Sequence, residues 1–368
     1  MKALTGGCER FQIMPSMDDP LAGFQVSASL FQRKRPFPAP KPRLPLLALI
    51  GAAALSGCVR STPSPPPQPP GTPAPAIVLT DDLGRQVRLE RPAQRLVSLW
   101  PSATEMVCAL GLEDRLVGVT SWCNYPPTVK KKTLIGDPNT PKLEKIVELQ
   151  PDLVLAPFGT PREVLQQMEH LALPVFGMDP RTLPEVFAAM RQIGRLTGTE
   201  KAAESVVQAL EKRSAAVEEK VRKLSLPQRP RVYLEMYASA SEIWTFGPHN
   251  YADDLVQRAG GRNVFDDAET PYPQISAEQV LERNPDVLII AHHQAAAADI
   301  RARPGWSSLT AVKENRIFRY GNPDEFLRPG PRLVNVLEWL ARVLHPELFG
   351  PPPRTSADRH SGKKRWTS

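Results

Sequence analysis

Short apolar runs alternate with stretches in which apolar residues recur at helical spacing along most of this chain. Residues 95–99 (Arg-Leu-Val-Ser-Leu) read as a strand and Pro101-Ser102 as a turn. Ser102-x-x-Glu105 reads as a capping box that opens a helix ending at Leu110, before Gly111. Residues 116–119 form the next strand. Helices over 142–149 and 161–172 each precede a strand, at 152–156 and 174–177. From 183 to 224 the period stays helical with no strand signal. Val186, Phe187, Met190, Ile193 and Leu196 mark one apolar run, and Ala203, Val206, Val207, Leu210, Val217 and Val221 another. Gly194 and Gly198 allow a break, so this stretch is one long connector or two abutting helices, with an ordinary helical hairpin as the bland alternative. Residues 231–236 then open a second series. It contains a helix over 251–259 stopped by Gly260-Gly261, a strand over 316–320 and a final helix over 332–344. Trp306 and Trp339 fall at packing positions. Strand–helix alternation of this kind predicts mainly parallel sheets covered by helices on both faces.

One phrase occurs twice, 134 residues apart. Residues 143–156 read Leu-Glu-Lys-Ile-Val-Glu-Leu-Gln-Pro-Asp-Leu-Val-Leu-Ala, and residues 277–291 read Ala-Glu-Gln-Val-Leu-Glu-Arg-Asn-Pro-Asp-Val-Leu-Ile-Ile-Ala. Glu144 matches Glu278, Glu148 matches Glu282, and Pro151-Asp152 matches Pro285-Asp286. Each copy is an amphipathic helix opened by a glutamate, a Pro-Asp break and an apolar strand. The repeat predicts two similar α/β lobes, over 77–182 and 229–346, with 183–228 as the helical connection.

The ends of the chain differ from this body. Residues 33–43 carry five Lys/Arg, residues 44–55 are almost wholly apolar, and Leu55-Ser56-Gly57-Cys58 follows. A basic segment, a short apolar one and small residues make a secretory signal over 1–57, with the true start expected nearer Val26 or Leu30. The apolar run is about 18 Å long as a helix, too short for a hydrocarbon core of about 30 Å. The last four of these residues resemble a bacterial lipobox, which implies cleavage before Cys58 and lipidation of its thiol. Residues 58–76 then form a linker in which 61–76 hold eight prolines and no charge, a composition that favours extended polyproline II. Residues 347–368 read as a polar, disordered tail. The formal net charge of +7 resides in these ends: residues 1–57 and 351–368 carry +4 each, and the body carries −1. A neutral body has no nucleic-acid footprint.

With Cys8 in the signal and Cys58 assigned to the lipid, Cys108 and Cys123 remain. An exported domain allows a disulfide between them; two separate thiols are the alternative. Ligands of open α/β sheets bind beyond the carboxyl ends of the strands, and those ends are rich in aromatic residues here. His292-His293 lie at one of them, but no Asp/Glu/His cluster at metal spacing accompanies them, so no metal site is assigned. No nucleophile elbow, metalloprotease helix or phosphate loop occurs, which argues against an enzyme.

The ordered set of motifs resembles the cobalamin- and iron-chelate-binding proteins of ABC importers. It comprises residues 110–119, Cys123-Asn-Tyr-Pro-Pro127, the first repeat, Gly260-Gly-Arg-Asn-Val-Phe265, residues 272–278 and Arg328-Pro-Gly-Pro-Arg332. The resemblance runs over about residues 77–346. It implies two Rossmann-like α/β lobes joined by one rigid long helix, with a small-molecule ligand in the cleft between them and no cofactor. It implies a monomeric, lipid-anchored protein outside the cytoplasmic membrane that serves a permease dimer through Glu144 and Glu278. By position it places Trp122, Tyr125, Phe158, Trp244, Phe246, Tyr272, Asp324, Phe326 and Arg328 at or beside ligand contacts. The aromatic faces suit cobalamin, although Pro138 and Pro157 stand where the cobalamin binder has tryptophans. Arg328 and Arg332 suit a ferric siderophore or the propionates of haem instead, or Arg332 pins the last helix. A membrane-anchored enzyme or sensor on the same fold is the alternative of a different class.

Overall fold

The computed structural model describes residues 76–157, 159–239 and 241–352. The signal region, Cys58, nearly all of the linker, Phe158 and residues 353–368 lie outside the described residues. A hairpin of β1 (Ile77–Thr80) and β2 (Gln86–Leu89) opens the chain. The first lobe follows as β3 (Leu96–Ser98), α1 (Pro101–Ala109), β4 (Leu116–Val119), β5 (Thr133–Leu134), α2 (Leu143–Glu148), β6 (Leu153–Pro157), α3 (Arg162–His170) and β7 (Val175–Met178). Its five strands pair in parallel in the order β5-β4-β3-β6-β7. Two helices, α4 (Leu183–Thr197) and α5 (Glu200–Val221), lead to the second lobe.

That lobe runs β8 (Arg231–Ala238), β9 (Ile243–Thr245), α6 (Tyr251–Arg258), β10 (Arg262–Asn263), β11 (Gln274–Ile275), α7 (Ala277–Arg283), β12 (Val287–Ile290), α8 (Ala297–Ala302), α9 (Thr310–Lys313), β13 (Ile317–Arg319), α10 (Pro323–Phe326), α11 (Leu333–Leu344) and α12 (Pro346–Phe349). Its sheet is mixed, in the order β11-β9-β8-β12-β13, with β8, β12 and β13 parallel and β9 antiparallel to both its neighbours, β8 and β11. The antiparallel edge departs from the wholly parallel pattern of the first lobe.

Three apolar clusters show where the layers meet. One takes Leu96, Met106, Ile193, Val207, Leu234, Val256 and Leu337, so the inner faces of both sheets share a core with α1, α4, α5, α6 and α11. A second covers the outer face of the first sheet, with Ile146 of α2 and Met168 of α3. The third does the same in the second lobe through Val280, Ile300 and the fully buried Trp306. Trp306 and Trp339, both expected to pack, are core residues.

The connection is two helices packed against each other. Gly198 adopts φ +67 at the C-cap of α4, a left-handed conformation that glycine takes without penalty and that ends the helix. The chain turns back so that Arg191 pairs with Glu204 and Glu211. The longer helix, α5, has 22 residues and so spans about 33 Å; Arg213 ties it to Glu338 of α11. Residues 347–349, expected in a disordered tail, are ordered instead. Residues 346–349 form α12, held by Lys220 over the Phe349 ring and by Arg342 donating to the Phe349 carbonyl.

The repeat has a structural task in each lobe. Gln150 and Asn284, both at positive φ, stop the two helices just before Pro-Asp. The Asp152 carboxylate accepts from the backbone N–H of Gln94 and Arg95 at 2.8 and 3.0 Å, and Asp286 accepts from that of Arg231 at 2.8 Å. In return the Arg95 guanidinium donates to the carbonyls of Leu149 and Gln150, and Arg231 to those of Arg283 and Asn284. These are the orphan carbonyls of a helix end. Arginine and aspartate thus clamp a helix end to the strand it precedes and to that strand's neighbour. Replacing Asp152 or Asp286 by alanine should cost about 1–2 kcal/mol each in urea unfolding, as a part-exposed charged acceptor is lost. Losses below about 0.5 kcal/mol at both positions would show that the clamps do not hold the fold.

Candidate functional site: the floor between the lobes

Helix α1 is apolar or small on every side except at Glu105, and Glu105 is buried, with its side chain 2% exposed. A buried carboxylate needs partners, and these come from the opposite end of the chain. Arg332, at the N-cap of α11, donates from Nε to Glu105 Oε2 at 2.8 Å and from Nη2 to Oε1 at 2.6 Å, a two-pronged pair. Its Nη1 donates to Glu325 at 3.0 Å, and its planar face lies 3.9 Å from the Tyr125 ring centre. Arg328 donates from Nη1 to Glu105 and Asn124, at 3.2 and 2.7 Å, and from Nη2 to Asp324 at 2.9 Å and the Trp122 carbonyl at 3.4 Å. Asn124 also donates to Asp324 at 3.0 Å. Burial opposes charge on Asp324, but its bonds from Asn124 and the nearby Arg328 outweigh that and hold the carboxyl below its usual range.

Four of the expected residues therefore meet here: Trp122, Tyr125, Asp324 and Arg328. Trp122 is half-buried and lies against Trp100, ring centres 5.3 Å apart, and Tyr125 is 43% exposed. Tyr272 stands in a second aromatic group with Phe246, Phe326 and Tyr320, and burial pushes its hydroxyl up to about 12. Phe246 and Phe326 are corrections: both are fully buried (0% exposed), so they support the floor from beneath and present no ring to a ligand. Trp244 sits on the antiparallel strand β9, between β8 and the edge strand β11, with its indole N–H on Glu242. Phe158 lies outside the described residues.

Glu105 and Asn124 were not legible as site residues. The capping box is also a correction: the N-cap of α1 is Trp100, no side chain caps it, and Ser102 lies inside the helix. The signal that could have found Glu105 is a lone charge in a helix with no polar face.

The two remaining expectations separate in space. Cys108 and Cys123 are free thiols. The Cys123 sulfur meets the hydroxyls of Thr104 and Thr120, at 3.1 and 3.3 Å, one helical turn before Cys108 on α1. Burial, with Glu113 next, pushes the Cys108 thiol up to about 12. Of the adjacent histidines, His292 is buried between Glu235, 2.9 Å from Nε2, and Gln294. Arg303 pairs with the same glutamate. His293 faces Asp324 at 3.4 Å and is half-exposed. Among the described residues no group of three metal-ligating side chains occurs.

The repeated glutamates stand apart from this floor. Glu144 and Glu278 are both exposed in the first turns of α2 and α7. A backbone N–H, then the Ser276 hydroxyl, hold the Glu278 carboxyl below its usual value.

Comparison with known proteins agrees with this architecture. Residues 96–323 match a family described as periplasmic binding protein. YvrC of Bacillus subtilis, an uncharacterized ABC transporter substrate-binding lipoprotein, is 31% identical over 74% of this chain and 87% of its own. The periplasmic vitamin B12 binding protein BtuF of Vibrio cholerae superposes with a TM-score of 0.61 at 28% identity, over 69% of this chain and 97% of BtuF. A possible iron-binding periplasmic solute-binding protein of Staphylococcus epidermidis gives 0.60 at 29% identity, over 69% of this chain and 100% of its own. The chain belongs to the periplasmic binding protein family and is a substrate-binding protein of the ABC-transporter type, a carrier of ligand and not an enzyme.

Proposed function

We propose that this protein carries a corrinoid, cobalamin foremost, to an ABC importer. The observation that carries this reading is the state of the two floor arginines. Each N–H-bearing nitrogen of the Arg332 guanidinium, and both terminal nitrogens of Arg328, already donate to Glu105, Glu325, Asp324, Asn124 or the Trp122 carbonyl. They are therefore not cationic hooks for siderophore carboxylates or haem propionates. A large ring with amide arms needs aromatic surface and a few orienting polar groups. Trp122 and Tyr125 supply the first, and Asn124 and Asp324 the second. The likeness to BtuF supports the same ligand. The likeness to the possible iron-binding protein favours a ferric chelate as the second reading.

Titration by tryptophan quenching tests the cargo. Cyanocobalamin should quench the purified protein with saturation, while ferrichrome and haem should not. A saturable response to either ferric chelate with none to cyanocobalamin would transfer the assignment to that ligand.

The membrane side of the reading rests on the repeat. Two glutamates at matching places on two lobes, both exposed, give like charges at a fixed spacing, which suits a two-fold permease with basic residues. A lipid on Cys58 followed by the proline-rich linker would hold a monomeric domain near that permease, outside the cytoplasmic membrane. Glu144→Ala with Glu278→Ala should abolish uptake of the cargo by cells while its affinity for the purified protein stays within about twofold, a difference of about 0.4 kcal/mol. An equal loss of affinity would make them cleft or folding residues.

A further inference from the structure

Glu105 is poorly placed to touch cargo, since its side chain is 2% exposed. Yet it is the common acceptor of the two cations beneath the cleft. We propose that Glu105 sets the charge selectivity of this site: by holding Arg328 and Arg332 it turns their N–H edges away from the cargo, so the cleft admits a chelate rimmed by amides and rejects one rimmed by carboxylates. This deepens the reading of the site as a chelate cleft and rests on it.

The geometry is specific. Arg332 offers its fork to Glu105 and its third nitrogen to Glu325, and it lays its face on Tyr125. Arg328 divides its two terminal nitrogens among Glu105, Asn124, Asp324 and a backbone carbonyl. The guanidinium side chains are only 11% and 10% exposed. Three carboxylates, on Glu105, Asp324 and Glu325, stand against these two cations. An incoming carboxylate meets a site in which three carboxylates face two guanidinium groups whose forks already point at them, and it must shed water to enter. Desolvated charge without a partner is strongly disfavoured. An amide arm carries no such penalty, and Asp324 at 28% exposure can accept from it. Glu105 acts through the arginines and is therefore a positioning residue.

Glu105→Gln keeps the volume of the side chain, removes its charge and turns an amide N–H₂ toward one guanidinium. One arginine edge is then released to the cleft. The probes are cyanocobalamin and its monoacid, in which one propionamide arm has become a propionate, so that ring and metal are unchanged. The parent should prefer the amide at least tenfold. In Glu105→Gln this preference should shrink at least tenfold through a gain in affinity for the acid. In Glu105→Gln with Arg332→Met the gain should disappear. An unchanged ratio in Glu105→Gln, or equal weakening of both ligands, overturns the assignment. Melting curves establish that each variant is folded. The parent alone gives a reading independent of folding: between about 0.05 and about 0.5 M salt, affinity for the acid should hold or rise, because screening relieves repulsion. A fall would mean that the arginines face the cargo, which also overturns it. If the parent binds neither corrinoid, the corrinoid reading fails by itself. The same ratio and salt dependence are then read on ferrichrome, a neutral ferric trihydroxamate, against haem with its propionates.

Discussion

A single buried carboxylate joins the two halves of this protein. Glu105 lies on the first helix of the first lobe, and its partners Arg328 and Arg332 stand 223 and 227 residues later, beside the last long helix. Removing either charge from such a pair leaves the other stranded in a low-dielectric interior. The loops that carry Trp122, Asn124 and Tyr125 must therefore keep their distance from the segment Asp324 to Arg332. The aromatic group of Phe246, Tyr272 and Phe326 packs beneath that same segment. The floor is thus set before any ligand arrives, and a preformed site avoids ordering its own groups at binding.

The rest of the frame repeats one solution. In each lobe an arginine opens the first central strand and caps the end of a helix, and the aspartate of the Pro-Asp pair just beyond that helix accepts from that strand's backbone. The repeat therefore keeps Glu144 and Glu278 in matched surroundings at the starts of α2 and α7. Between the lobes, α5 packs against α11 through the Arg213–Glu338 pair, so that the helical layer is common to both sheets. Charge pairs and one continuous apolar core act together on the same helices.

Local physics made much of this legible in the sequence. The period of apolar residues located the longer helices and parallel strands, because one face of each must be buried, but not the short α8, α9, α10 and α12 or the two-residue strands β5 and β10. The Pro-Asp phrase was legible in both lobes as a helix end before a strand, although the backbone and arginine it joins lie 52 to 58 residues away. The failures share one cause, which is distance along the chain. Ser102 and Glu105 fit a capping box by spacing alone, yet the decisive partners of Glu105 lie more than 200 residues away. Phe246 and Phe326 were expected at ligand contacts only by resemblance, and here their tilted rings pack together, centres 6.1 Å apart, in the interior. The helical stretch 183–224 gave its period and a possible break at Gly194 or Gly198 but left one helix or two open, and the antiparallel edge of the second sheet left only short strands to read.

The central claim is that cargo binds across the floor built on Glu105, touching both lobes at once. Hydrogen exchange of the purified protein, with and without saturating cyanocobalamin, tests it directly. The account predicts slowed exchange in two separate segments, around Trp122 to Tyr125 in the first lobe and around Asp324 to Arg328 in the second, with α2 and α7 unchanged. Protection confined to one lobe, or centred on Glu144 and Glu278, would contradict it.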